Sequence, residues 1–245
     1  MKAVVVDQAY NLTALAQRLL KEGRKLDLAN KILGAVDARS IAVDLTIALE
    51  ACDALAFSLD NAMQQPANFR ETTEAALLSY LVILYARATK SSSDIRKQYD
   101  PRPKFNADEK QVHTELCDLR DQAIAHFGRG GSYTGDWTVE LAILDIDHTV
   151  RAAVVTRRLV VDRALLYRAK AQIARALEII NPLCTSRINL FIDAINAECV
   201  ADPAFHKEVS QHPLNIAIFL GGEAQAAQMK AARVYGHARG AFGRH

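Results

Sequence analysis

Apolar residues recur at helical spacing through most of the first half of the chain. No glycine occurs between Gly34 and Gly128, and Ala and Leu, which favour helices, are frequent there, so this stretch predicts long helices. A run over residues 75–86 is apolar except for Ser79 and predicts a buried central helix. It is well short of the ~20 residues that cross a bilayer, so we expect no association with a membrane.

Polar residues at the ends of these apolar patterns predict where the helices begin. Four of them are of types that commonly cap helix N-termini: Asn11, Ser40, Asn68 and Asn106. The last two are each followed three residues later by glutamate, which is the spacing of a capping box. The predicted helices cover about 11–22 (ending at Gly23), 40–63, 68–89 and 106–127.

The hydrophobic pattern changes its period after Gly128. Apolar residues alternate with other residues from Trp137 to Ile143, and a turn-like segment is followed by a stretch rich in β-branched residues. Both features are typical of strands. The sequence therefore predicts a small β-hairpin at about 137–161, directly after the helix that ends near residue 127.

Helical spacing returns in the last third of the chain. It predicts one helix over about 163–180, stopped by Pro182, and another over about 185–200. From residue 203 the signals weaken, and basic residues prevail near the C-terminus. We therefore expect a mainly α protein, with a helical bundle and its β-hairpin over residues 1–202 and a loosely ordered basic tail over 203–245.

Composition places the chain among ordinary globular proteins. Its 245 residues are 50% hydrophobic and 24% charged, and the net charge of +2 is too small to indicate nucleic-acid binding by itself. The four cysteines have no metal-site spacing, so we interpret them as buried reduced thiols. No phosphate-loop or dinucleotide-binding motif occurs. We expect no cofactor and no metal, and the short N-terminal apolar run predicts a cytoplasmic protein without a signal peptide.

One heptapeptide carries the strongest chemical signal. Residues 120–126 read Arg-Asp-Gln-Ala-Ile-Ala-His at the end of a predicted helix. Histidine can move a proton near neutral pH, and arginine can stabilise the charge that develops on phosphorus. At about 100° per residue, Arg120 and His126 flank the apolar stripe of their helix. The pair predicts cleavage of a phosphodiester without a metal.

A purely structural interpretation stays open for the same residues. Arg120 and Asp121 could form a surface ion pair, which contributes little to stability, and His126 could bond a backbone carbonyl at the end of the helix. His113 is a second candidate histidine for the site. For His113 we favour an exposed position on the helix without a functional role.

The heptapeptide, late in a helix of a helical bundle, resembles the HEPN superfamily (higher eukaryote and prokaryote nucleotide-binding). Members carry an arginine, four to six further residues and a histidine, often with a polar residue directly after the arginine. The resemblance implies a dimeric, metal-independent endoribonuclease of a toxin–antitoxin or phage-defence system, with an antitoxin protein as a partner. It implies His126 as general acid and base, Arg120 as the group that stabilises the phosphate and the transition state, and Asp121 as a positioning residue. The 2′-hydroxyl of the RNA would be the nucleophile.

A basic segment follows the heptapeptide. Residues 150–177 contain seven basic residues and one acidic residue, a balance that would attract RNA if several share a face. The RNA-binding candidates are Arg151, Arg157, Arg158 and Arg163. The other interpretation is a solvated surface without a ligand. The alternative function is therefore a non-catalytic HEPN-like helical protein that binds a nucleotide, RNA or a protein partner.

Overall fold

The computed structural model describes residues 9–61, 64, 66–90, 96, 99–124, 138–145, 151–158, 163–224 and 227. This part of the chain is mainly helical with small two-stranded sheets, which confirms the predicted fold class at that level. Contacts divide the chain into two compact units. The first unit is Met1–Val36 with Thr185–His245, and the second is Asp37–Cys184. The separate tail expected over residues 203–245 stays a prediction.

The first helix has the ends that the sequence predicts. Strand β1 is Ala9–Tyr10 and helix α1 is Leu12–Glu22. The side chain of Asn11 accepts a hydrogen bond from the backbone amide of Ala14 at 3.0 Å. Gly23 ends the helix with a left-handed φ of 68°, which a residue without a Cβ adopts easily.

The second helix begins earlier than predicted. Helix α2 is Leu26–Asp60, so Ser40 lies inside it and the predicted cap is wrong. The hydroxyl of Ser40 instead accepts a hydrogen bond from Arg96 at 3.1 Å. Apolar residues on both sides of Ser40, such as Ala38 and Ile41, are buried. Their burial outweighs the weak helix propensity of one serine.

The third helix ends as predicted but begins differently. Helix α3 is Ala67–Thr89 and follows Pro66, which makes no capping hydrogen bond through its side chain. Asn68 therefore lies inside the helix, and its predicted capping box is wrong. Pro66 has an extended backbone, with ψ of 135°, and the chain becomes helical at the next residue.

The fourth helix has the predicted capping box. After a short 3₁₀ turn at Arg102–Lys104, α4 extends over Ala107–Asp118. The side chain of Asn106 accepts from the amide of Glu109 at 2.9 Å, and the Glu109 carboxylate accepts from the amide of Asn106 at 2.8 Å. An uninterrupted α-helix to residue 127 was expected. Instead α4 passes into a π-helical turn, Leu119–Ile124, which is called the π turn below.

The predicted hairpin is confirmed. Strand β2 is Thr138–Asp145 and strand β3 is Arg151–Arg158, and they pair antiparallel over their whole length. Leu144 is 60% exposed and Val154 is 75% exposed. Both of these large apolar side chains are therefore largely accessible to solvent.

The fifth helix does not stop at its proline. Helix α5 is Arg163–Ala201 and contains Pro182, so the predicted break is wrong. A proline inside a helix costs ~3 kcal/mol because it lacks an amide hydrogen and crowds the preceding turn. Ile179, Ile180 and Cys184 around it are buried. Their burial keeps the helix continuous.

Short elements follow α5 in the first unit. Helix α6 is Phe205–Ser210, strand β4 is Pro213–Leu214 and helix α7 is Ile216–Leu220. Strand β4 pairs antiparallel with β1. The sequence gives only weak signals here because each element is too short to show a period.

Each unit has its own hydrophobic core. The core of the first unit is small and centres on Leu15, Leu19 and Phe205. The core of the second unit is larger and is formed by α3 together with residues of α2, α4 and α5. Within the described residues, no helix is long and apolar enough to cross a membrane.

All four cysteines are free thiols, and three of them are buried. The buried ones are Cys52, Cys117 and Cys184, whereas Cys199 is half-buried. Burial raises the pKa of Cys52 to about 12 and that of Cys117 to about 11, since a thiolate is poorly solvated in an apolar core.

Candidate functional site

The first five residues of the heptapeptide, 120–124, lie on the π turn. Leu119, just before them, is fully buried, whereas the side chains of Arg120 and Asp121 are 41% and 31% exposed. A π turn closes hydrogen bonds over five residues and is wider than an α turn, so positions calculated at about 100° per residue do not apply beyond Asp118. Such turns are frequent at functional sites. His126 lies outside the described residues, and its position stays a prediction.

Two cations share the carboxylate of Asp121. Arg120 donates to Oδ1 at 2.7 Å, and the ammonium group of Lys90 donates to Oδ2 at 2.6 Å. Partial burial tends to raise the pKa of Asp121, but the hydrogen bonds from Lys90 and Arg120 outweigh it and the pKa is lowered. The bond to Asp121 also raises the pKa of Lys90. Lys90 and Asp121 are therefore both ionised at neutral pH.

Lys90 is a residue of the candidate site that the sequence pattern does not predict. It follows the last residue of α3 and lies 31 residues before Asp121 in the chain. A lysine at the end of a helix is common because it interacts favourably with the helix dipole. No local signal therefore distinguishes Lys90 from an ordinary surface lysine.

His113 is buried, and the prediction that it is exposed is wrong. It is only 5% exposed, and its ring contacts the rings of Tyr85 and Phe105. Its Nδ1 lies 2.9 Å from the hydroxyl of Tyr85, which also accepts from the side-chain amide of Gln172 at 3.1 Å. Burial lowers the pKa of His113, since the charged imidazolium loses its hydration.

The Tyr85 hydroxyl links two buried side chains. It accepts from the side-chain amide of Gln172 and lies within hydrogen-bond distance of Nδ1 of His113. Nε2 of His113 lies 3.7 Å from the sulfur of Cys117. His113 therefore connects α4 to α3 and, through Tyr85, to α5, and it is not presented to a ligand in solvent.

A cluster of two arginines and one aspartate lies in the same unit. The carboxylate of Asp44 is 5% exposed and accepts from Nε of Arg87 at 2.8 Å and from Arg96 at 2.7 Å. Arg96 also donates to the backbone carbonyl of Arg87. A buried carboxylate with two charged partners connects α2, the end of α3 and the segment after it, and removing one partner would be costly.

The predicted RNA-binding arginines are only partly described. Arg151, Arg157 and Arg158 lie on β3, and their side chains are outside the described part. Arg163 begins α5 and donates to the carboxylate of Asp60 at 2.8 Å and to the carbonyl of Leu59 at 2.9 Å. A role of these arginines in binding RNA stays a prediction.

The basic residues that follow on α5 have acidic partners on other helices. Their ion pairs are Arg168–Glu115, Lys170–Asp53 and Arg175–Glu109. Each pair compensates one positive charge. The described part of the basic segment therefore carries less net positive charge than its sequence indicates.

No protein-family model, curated protein or solved structure matches this chain. Among the described residues, no group of three or more His, Cys, Asp or Glu side chains is arranged to hold a metal ion.

Proposed function

We propose that the protein is a metal-independent endoribonuclease of a toxin–antitoxin or phage-defence type system. The observation that carries the proposal is the half-exposed Arg120 on a π turn, with Lys90 beside it and the two cations sharing the single carboxylate of Asp121. Both cations are partly exposed at the surface of their unit. In the sequence, His126 follows Arg120 six positions later.

The proposed reaction uses the 2′-hydroxyl of RNA as the nucleophile. An imidazole takes the proton of this hydroxyl while its oxygen bonds to phosphorus, and an imidazolium gives a proton to the departing 5′ oxygen. Arg120 stabilises the additional negative charge on the phosphate oxygens during the transfer. The products are a 2′,3′-cyclic phosphate and a free 5′-hydroxyl.

A homodimer would supply both imidazole groups. In the proposed assembly, His126 of one copy acts as the base and the second copy supplies the acid. The resemblance to HEPN proteins supports this arrangement, and it also supports an antitoxin protein as a partner that blocks the site. The proposal requires no metal and no cofactor.

Cleavage in EDTA tests the proposal. Wild type, Arg120→Ala, His126→Ala and the control Lys110→Ala, an exposed residue of α4, are incubated with total RNA after circular dichroism shows that they fold alike. We expect His126→Ala to lose about 10²–10⁴-fold and Arg120→Ala about 10²-fold of the cleavage rate, with Lys110→Ala unchanged. Equal cleavage by wild type and His126→Ala would refute the proposal.

The same assay separates the alternative function, a non-catalytic HEPN-like protein that binds RNA, a nucleotide or a protein. Binding of RNA without cleavage by wild type at any protein concentration would favour it. In that case reversal of charge at Arg157 and Arg158 should weaken binding, and the effect should decrease with salt concentration.

A further inference from the structure

Lys90 and Arg120 hold one carboxylate between them at the surface of their unit. Each cation bonds a different oxygen of Asp121, at 2.6 Å for Lys90 and at 2.7 Å for Arg120. The side chains of Lys90 and Arg120 are 46% and 41% exposed. An anion from solvent can therefore reach both cations.

A phosphodiester can replace this carboxylate in its bonds to the cations. Its two non-bridging oxygens share one negative charge, as the two carboxylate oxygens do, and lysine and arginine bind both groups through charge-assisted hydrogen bonds. The exchange leaves each of the two cations bonded to one anionic oxygen.

The backbone holds Lys90 at this place. Its amide donates to the carbonyl of Ala86 at 2.8 Å, so its main chain continues the bonding pattern of the last turn of α3. Arg120 is held next to the fully buried Leu119. Two cations from separate helical elements therefore meet at one point without a ligand having to bring them together.

We propose that Lys90 is a second phosphate-binding residue of this site, and that the Asp121 carboxylate occupies, in the free protein, the position that a phosphodiester of the substrate takes. The identity of the ligand as RNA rests on the proposed function. When RNA binds, its phosphate oxygens accept the hydrogen bonds from Lys90 and Arg120, and the side chain of Asp121 turns away. Asp121 therefore competes with the substrate.

This competition predicts that substitutions at Lys90 and at Asp121 change the affinity for RNA in opposite directions. Lys90→Met removes a charge-assisted donor and should weaken RNA binding about ten-fold. Asp121→Asn removes the competing charge and should strengthen binding about three- to ten-fold. Lys90→Arg keeps the cation and should stay within about three-fold of wild type. If Asp121 served only to position the cations, Asp121→Asn would weaken binding instead.

Fluorescence anisotropy with a 2′-O-methyl RNA oligonucleotide measures these Kd values, because this RNA lacks the free hydroxyl needed for cleavage. Lys110→Met is the matched control, with the same change on an exposed residue of α4, and should change Kd by less than about two-fold. Inorganic phosphate is added as a competitor and should displace RNA from wild type at lower concentration than from Lys90→Met. All variants are first compared by circular dichroism and thermal unfolding.

The outcomes separate this inference from the proposed function. Equal Kd values for Lys90→Met and Lys110→Met, or weaker binding by Asp121→Asn, would overturn the inference even if wild type cleaves RNA. The predicted pattern of Kd values without any cleavage would support the inference and refute the nuclease. If wild type does not bind RNA, both fail.

Discussion

The imidazole of His113 lies in the core of its unit, with Nδ1 2.9 Å from the hydroxyl of Tyr85. Burial disfavours its charged form and lowers its pKa. Lys90, 46% exposed and bonded to Asp121, has a raised pKa instead. His113, whose charged form is disfavoured by burial, therefore has a structural role. Lys90, which is charged and partly exposed, is available to a ligand.

The buried His113 predicts a dependence of stability on pH. Its pKa in the folded state lies below the usual value of 6.5, so the unfolded chain binds more protons as the pH falls below that value. The free energy of unfolding should therefore decrease from about pH 6.5 downward, with a slope of up to about 1.4 kcal/mol per pH unit. Urea unfolding of wild type and His113→Gln between pH 8 and pH 5 measures it.

His113→Gln should show a smaller decrease than wild type over this range, because glutamine does not titrate. The range stays above pH 5 so that carboxylates with lowered pKa values, such as Asp121, remain ionised in both proteins. Parallel curves for the two proteins would contradict the prediction.

Helix ends that depend on nearby residues could be predicted from the sequence, whereas contacts between residues far apart in the chain could not. Asn11, Gly23 and Asn106 end or begin helices as expected because a cap depends on residues within one turn. The burial of His113 depends on Tyr85 and Gln172, which lie far away in the chain. Within the candidate site, Arg120 and Asp121 were found from their motif, whereas the bond from Lys90 to Asp121 required the fold.

At the scale of the elements, helices α2 and α5 continue through residues that favour breaks. Ser40 and Pro182 were both expected to mark helix boundaries, yet both lie inside helices. The burial of apolar residues on either side keeps each helix continuous. A sequence pattern that is analysed one element at a time does not include this stabilisation. The π turn after α4 was not predicted either, since its composition resembles that of an α-helix.

Pro182 provides a direct test of this explanation. Pro182→Ala supplies the missing amide hydrogen to the carbonyl of Glu178 and removes the steric crowding. The unfolded chain has more conformational entropy with alanine than with proline, which offsets part of this gain. The net free energy of unfolding should rise by about 1–2 kcal/mol. Urea unfolding measures the change.

Ser186→Ala is the matched control, because Ser186 is also exposed on α5. Its gain should not exceed about 0.5 kcal/mol, the difference in helix propensity alone. A gain of similar size for both variants, or a loss for Pro182→Ala, would show that the proline is not a strained position.

At the scale of the whole molecule, the two units differ in the size of their cores. Among its described residues, the first unit buries few large side chains, including Leu15, Leu19 and Phe205. The second buries a much larger set around α3. Stabilisation increases with the apolar area that is buried. Local opening should therefore cost less free energy in the first unit than in the second.

Native-state hydrogen exchange measures this difference. Amides in α1, such as that of Leu19, should exchange at least about ten-fold faster than amides in the middle of α3, such as that of Leu81, because local opening of a small core costs less free energy. The two residues are equally buried, at 0% exposure, and serve as a matched pair. Equal protection factors at the two positions would contradict the prediction.

The positions of the cysteines allow local opening to be measured by thiol modification. Cys199 belongs to the first unit and is half-buried, whereas Cys52, Cys117 and Cys184 belong to the second and are buried. A thiol-specific reagent added in short pulses should modify Cys199 in the native protein and the other three only when their unit opens. Mass spectrometry of the peptides would then record the opening of the second unit, with Cys199 as the internal reference for the reagent, without an engineered label.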